Sequence, residues 1–199
     1  ERPDADVNYT FAQVDISTGQ VGYGGNCGNI SSGVGPFAID EELVAAQDGI
    51  ASVRIYNTNT RKILIADVPV RGGKAAVLGD FEIPGVPGSG AEIVMNWAAT
   101  VGAKTGKLLP TGKAADVIEM EDGRKVQTTI CDAANPCLWV SGPDLGLRGD
   151  ESVEDINSNT FLLAAAREIG AKAAVLAGMA NDWRKAVSPT DAFPLCGFI

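Results

Sequence analysis

The chain has 199 residues, 45% of them hydrophobic, and carries a formal charge of −9 from 16 Lys and Arg against 25 Asp and Glu. Length and apolar content suit one large or two small soluble domains, and the scattered basic residues exclude a phosphate-tracking surface, so no nucleic acid is expected. There is no histidine, which excludes Ser-His-Asp and Cys-His catalysis and imidazole metal sites within this chain.

No apolar run approaches the roughly 18 residues of a membrane span, and no basic segment leads into an apolar one at the start, so no membrane partner is expected and the chain reads as cytoplasmic. It opens at Glu1 without Met and runs at once into strand-like residues. Val7, Tyr9 and Phe11 alternate with Asn8 and Thr10, and Val14 and Ile16 continue in the other phase, which predicts one strand with a bulge. A Gly-rich turn follows at Gly22, Gly24 and Gly25. Residues 29–44 place Ile30, Val34, Phe37 and Ala38 at helical spacing, predicting a helix with that face buried. Gly33, Gly35 and Pro36 oppose it locally, so packing has to hold it, with small residues letting strands approach.

Residues 51–55 and 63–70 are rich in Val and Ile and flank Asn57-Thr58-Asn59-Thr60, a hairpin pattern, and Arg71-Gly72-Gly73-Lys74 predicts another turn. Residues 91–97 predict a strand. The stretch VGAKTGKLLPTGK lacks an apolar period, which places a domain boundary there and divides the chain into residues 1–104 and 105–199. In the second part, residues 117–120 and 125–130 flank an Asp-Gly turn, and Leu138-Trp139-Val140 is a short strand. Ser158 is the expected N-cap of a helix through Leu162, Ala165, Ala166 and Ile169, with Gly170 as its stop. The terminal AFPLCGFI reads as a buried strand, so further sequence is expected on both sides. Strands with one helix in each part make the fold class α+β.

The cysteines are Cys27, Cys131, Cys137 and Cys196, with no C-x-x-C pair. They read as reduced thiols, and no metal is expected, since a zinc site of all four would lack close ligand pairs. Cys27 stands out. A helix starting beside it would aim unpartnered N–H groups at the loop and favour the thiolate, so the thiol could take or give a proton. Gly25 and Gly28 would let a ligand approach the backbone, and the Asn26 and Asn29 amides could orient a carboxylate. The other reading is a small cysteine packed at a turn, with glycines that serve positive φ. For Cys131, Cys137 and Cys196, beside apolar strand residues, simple packing is the reading.

Several separated stretches together resemble one family: GGNCGNISSGVGPFAI, SVRIYNTNTRKILIADVPV, GDFEIPGVPG and LLPTGKAADVIE, with D-A-A-N-P from Asp132 and D-I-N-S from Asp155. In this order and spacing they are similar to the PrpF-type isomerases, which include 2-methylaconitate isomerase and 4-oxalomesaconate tautomerase and resemble diaminopimelate epimerase in fold. The resemblance implies two α+β domains, each a sheet wrapped around a central helix, with the active site in the cleft between them. It implies proton movement along an allylic system next to a carboxylate, with no cofactor and no metal. It carries Cys27 over as the catalytic residue, with Asn26, Gly28 and Asn29 as substrate-binding residues and Thr111 and Gly112 as further carboxylate contacts. It also implies a lysine before the matched part and a second glycine-rich loop after it, neither of which these residues contain, so the match covers the middle portion of a full-length member. Lys113 stands where the pattern has a small polar residue.

The expected function is thus a cofactor-independent isomerase of an unsaturated tricarboxylate such as methylaconitate, aconitate or oxalomesaconate. The expected partners are a small-molecule polycarboxylate and, in assembly, a second copy forming a homodimer. Lys104, Lys107 and Lys113 form one stretch with three cations and no acid, readable as a carboxylate-attracting patch or as a solvated linker. Two rivals stand beside this reading. An amino-acid epimerase of the same fold would need a second cysteine facing Cys27, and a binding-only relative would keep the fold without chemistry.

Overall fold

The computed structural model describes residues 2–186 and 194–199, and the chain divides into two compact units, Glu1–Thr100 and Val101–Ile199. Ala192 and Phe193 of the expected last strand lie outside the described residues.

In the first unit, the long strands β4 (Gly49–Asn57) and β5 (Lys62–Arg71) form the predicted hairpin. Strand β1 (Val7–Tyr9) pairs parallel to β4, while β6 (Lys74–Ala75) and β7 (Val94–Asn96) both pair antiparallel to β5. Alternation sends Val53, Ile55 and Asn57 of β4, and Leu64, Ala66, Val68 and Val70 of β5, to the buried face. The turn from β5 to β6 uses Gly72 and Gly73, both left-handed, as the hairpin twist requires.

Three expectations change here. The single bulged first strand is instead β1 plus β2 (Gln13–Val14), and β2 leaves the main sheet to pair with β3 (Val21–Gly22). The Asp15 carboxylate closes the turn between them by accepting from Ser17 and Thr18, which diverts the chain. The strand expected over residues 91–97 shortens to β7.

The predicted helix is two pieces, α1 (Gly28–Ser32) and α2 (Val34–Asp40). Pro36 explains the break. In a continuous helix its ring would clash with the carbonyl four residues back and a backbone bond would be lost, whereas restarting at Val34 puts it in a first turn, where no N–H is needed. The buried face also shifts by one residue, to Ser31, Gly35, Ala38 and Ile39, leaving Ile30 and Phe37 56% and 59% exposed. Gly35 sets that phase, because a Cβ there would lie 2.9 Å from both Ala66 Cβ and Val68 Cγ2. The helix therefore lies directly on β5. It ends at Asp40, with Glu42 in left-handed backbone.

The second unit has a four-stranded sheet in the order β11-β10-β9-β8, from β8 (Asp116–Glu119), β9 (Lys125–Asp132), β10 (Pro136–Val140) and β11 (Leu195–Phe198). The β8–β9 hairpin turns at the expected Asp-Gly, and β11 runs parallel to β10. Helix α3 (Val153–Ser158) precedes α4 (Thr160–Leu176), whose Leu162, Ala165, Ile169 and Ala173 meet Ile118, Val126, Ile130 and Leu138 in one core.

Both helix signals expected here move. Ser152 caps α3 in a reciprocal box with Asp155, and Asn159, not Ser158, caps α4 by accepting from Leu162 N–H. Gly170 does not stop α4, since buried Ala171, Ala173 and Ala174 continue its apolar face beyond it, and left-handed Gly178 follows the true end. Among the described residues no helix is long and apolar enough to cross a membrane, and no three His, Cys, Asp or Glu side chains cluster as metal ligands.

Candidate active site

Cys27 occupies the N-cap position of α1, with extended backbone and a free, half-buried thiol. The first helical bond runs from Ser31 N–H to the Cys27 carbonyl at 3.0 Å, so the N–H groups of Gly28, Asn29 and Ile30 lie ahead of the helical ladder. Gly28, Asn29 and Ile30 are exposed, while Asn26 and Cys27 are half-buried. Of the glycines in the loop, neither Gly25 nor Gly28 has left-handed backbone, which removes positive φ as their reason. Trp97 lies beside the loop, 3.7 Å from where a Cβ on Gly28 would stand.

A buried polar layer supports this loop. Asn57, wholly buried at the end of β4, donates from Nδ2 to Asn26 Oδ1 at 2.9 Å. Its own Oδ1 accepts from the Thr60 N–H at 2.9 Å and the Thr60 hydroxyl at 3.0 Å. The buried Ser31 hydroxyl lies 2.7 Å from the Cys27 carbonyl and 3.2 Å from Asn26 Oδ1. Tyr9 on β1 is in register with Asn57; burial holds its phenol above the ordinary tyrosine value, with the Ser31 hydroxyl opposing and Cys27 adding to the rise.

Asn59 braces the flanks of the loop. It accepts from Phe11 N–H at 2.8 Å and donates to the carbonyls of Phe11 and Tyr23, each at 2.8 Å. The Asn-Thr-Asn-Thr segment, expected only to turn a hairpin, thus also anchors the thiol loop. Within the turn itself Asn57 Oδ1 holds Thr60, and Arg61, not either asparagine, takes the left-handed backbone.

Asn26, Cys27, Gly28 and Asn29, consecutive in sequence, run from the loop into the first turn of α1. Thr111 and Gly112 belong to the second unit, where they form a turn. The Thr111 hydroxyl donates to Asp116 Oδ2 at 2.6 Å, and Gly112, with left-handed backbone, donates its N–H to the Leu109 carbonyl at 2.9 Å. That hydroxyl and that N–H are thus engaged within their own unit. Lys113 lies 4.0 Å from Asp116, whereas the Lys104 and Lys107 side chains are exposed. Their segment is no loose linker, because buried Asp132 accepts from Lys104 N–H, Thr105 N–H and the Thr105 hydroxyl at 2.8 to 2.9 Å. Cys131 and Cys137 face each other in register on β9 and β10, and all four thiols are free.

Comparison with known proteins fits this arrangement. A family model described as "PrpF protein" matches residues 1–199. The 3-methylitaconate isomerase of Eubacterium barkeri is 50% identical over 99% of this chain and 52% of its own length. The 4-oxalomesaconate tautomerase of Pseudomonas putida is 43% identical over 81% of this chain and 44% of its own length. The 2-methyl-aconitate isomerase of Shewanella oneidensis is 37% identical over 92% and 48%. A crystal structure of methylitaconate-delta-isomerase superimposes with a TM-score of 0.83 at 50% identity, covering 99% of this chain and 51% of that one. The chain spans about half the length of the curated relatives it matches. With a family match over every residue and a shared diaminopimelate epimerase-like α+β fold, the chain belongs to the PrpF protein family.

Proposed function

We propose that the protein containing this chain is a cofactor-independent isomerase of unsaturated di- or tricarboxylates, in which Cys27 handles the migrating proton. The observation that carries this reading is the half-buried thiol on a loop in which the Asn26 amide and the Cys27 carbonyl are held from beneath by Asn57 and Ser31. Relatives named for isomerising methylitaconate, methylaconitate and oxalomesaconate support it, since their substrates share a double bond next to carboxylates.

In the reaction, a base removes a proton from carbon adjacent to a carboxylate. The C–H electron pair enters the allylic system, the double bond shifts, and a proton returns at the far carbon. No atom is gained or lost. The intermediate carries enolate charge, which N–H groups ahead of α1 can stabilise without reorganising. Cys27 serves as acid or base, with a second acid–base group opposite. Four free thiols suit a reducing compartment, and a cytoplasmic setting is part of the proposal, checked by cell fractionation.

Deuterium uptake in D2O, followed by NMR, tests the function with aconitate, methylaconitate, oxalomesaconate and methylitaconate. Full-length protein is expected to exchange with at least one, and Cys27→Ser to slow exchange by about 100-fold or more. A folded full-length protein that exchanges none of them removes the proposal.

A further inference from the structure

Cys131 and Cys137 stand directly opposite each other on β9 and β10, and both are half-buried free thiols. Alternation puts them on one face of the sheet with Thr129 and Trp139, while Ile130 and Leu138 enter the core on the other. Cys196 does not join them, since on β11 it stands level with Leu138 and so belongs to that other face.

Main-chain bonding fixes the spacing of the pair. In an antiparallel ladder, pairs that exchange backbone bonds alternate with pairs that do not. The Ser141 N–H donates to the Gln127 carbonyl at 3.0 Å; two residues along each strand the bonded pair is Thr129 with Trp139, and two further it is Cys131 with Cys137. Asp132 agrees from the far end. Its N–H donates to the Leu108 carbonyl at 2.8 Å and its carbonyl accepts from the Gly102 N–H at 2.7 Å, so neither is spent on its partner Pro136. A bonded pair holds its Cα atoms about 5.5 Å apart, within the span of a disulfide. Its Cβ atoms, however, stand toward about 5.5 Å apart, whereas a relaxed disulfide holds them at about 3.8 Å. A bond between these two sulfurs can form, and it works against the ladder that spaces them.

We propose that Cys131 and Cys137 are a reversible oxidation site: a low-molecular-weight disulfide such as oxidised glutathione converts them to an intrachain disulfide, which the ladder strains and so leaves easily reduced. This goes beyond the isomerase reading and does not rest on it. The Cys131 thiolate attacks one sulfur of the oxidant, forming a mixed disulfide and releasing one glutathione thiolate. The Cys137 sulfur, once its proton has left, attacks the Cys131 sulfur; the Cys131–Cys137 bond forms and the second glutathione departs. The two protein thiols give up two protons and two electrons, and the oxidant takes both as two glutathione thiols. The order follows from the surroundings of Cys137. Its Sγ donates to the Asn135 carbonyl at 3.4 Å, and burial pushes its thiol up, with Cys131 and Asp132 adding to the rise, which makes it a poor first attacker. Once Cys131 is in the mixed disulfide it carries no charge, and its share of that rise is gone.

The test treats folded full-length protein with oxidised glutathione, blocks the remaining thiols by alkylation and maps each cysteine by peptide mass spectrometry. The wild type is expected to lose the Cys131 and Cys137 alkylation sites together, to yield a linked Cys131–Cys137 peptide, and to keep no glutathione on either. Excess reduced glutathione should then restore both thiols without denaturant. Cys137→Ser removes the second attacker, so its Cys131 should retain glutathione. A Cys131 that keeps glutathione in the wild type, two sites lost independently, two sites that stay fully alkylatable, or a linked pair that survives reduced glutathione would each overturn the proposal.

Discussion

Asn57 and Asp132 are both fully buried, and each spends its polar atoms on organising backbone. Asn57 divides its amide between Thr60 and Asn26. Asp132 concentrates three donors on Oδ2, while Oδ1 is buried with no hydrogen-bond partner among the described residues. Burying a carboxylate is costly unless it is well bonded, so what Asp132 supplies is the closed course of the chain at Lys104 and Thr105. Asp132→Ala would strand those donors and should cost about 3 kcal/mol. Asp132→Asn keeps an oxygen for all three and should cost less than half as much. Urea unfolding of the two variants checks the ranking; equal losses would mean that the charge, not the acceptor, holds the loop.

At the scale of elements, two glycines in helices behave oppositely. Gly35 in α2 lies where a methyl would press on Ala66 and Val68 at 2.9 Å, so Gly35→Ala overpacks the helix–sheet contact and should cost about 1 to 3 kcal/mol. Gly170 in α4 has open space around its missing side chain, and Gly170→Ala should stabilise by up to about 1 kcal/mol. Thermal melts should therefore move in opposite directions. The same pair shows what could be read in the residues beforehand. The hairpins were legible, because Gly72-Gly73 and the Asp122-Gly123 pair specify turns locally. The phase of α2 and the run of α4 through Gly170 were not. Apolar periodicity favoured Ile30 and Phe37, but a backbone-to-sheet approach open only at Gly35 decided the face. The thiol was legible as a motif, while its support from Asn57 and Asn59 arises from residues distant in sequence that only the fold unites.

At the scale of the whole chain, each unit closes its own apolar cluster. One gathers Val53, Ile55, Leu64 and Val68 under α2, and the other gathers Val126, Ile130 and Leu138 against Ile169 of α4. Cooperative unfolding follows contiguous cores, so damage to one cluster should lower protection first within its own unit. Ile55→Ala and Leu138→Ala each remove a fully buried side chain and should each cost about 2 to 5 kcal/mol. Amide hydrogen exchange distinguishes where that loss falls. Ile55→Ala should speed exchange along β4 and β5, and with them the Thr60 N–H bonded to Asn57, while β9 and β10 keep their protection. Leu138→Ala should do the reverse and leave the support of Cys27 intact. If either substitution deprotects both sheets equally, the two clusters unfold as one, and the thiol loop then draws its rigidity from the entire chain and not from the unit that contains it.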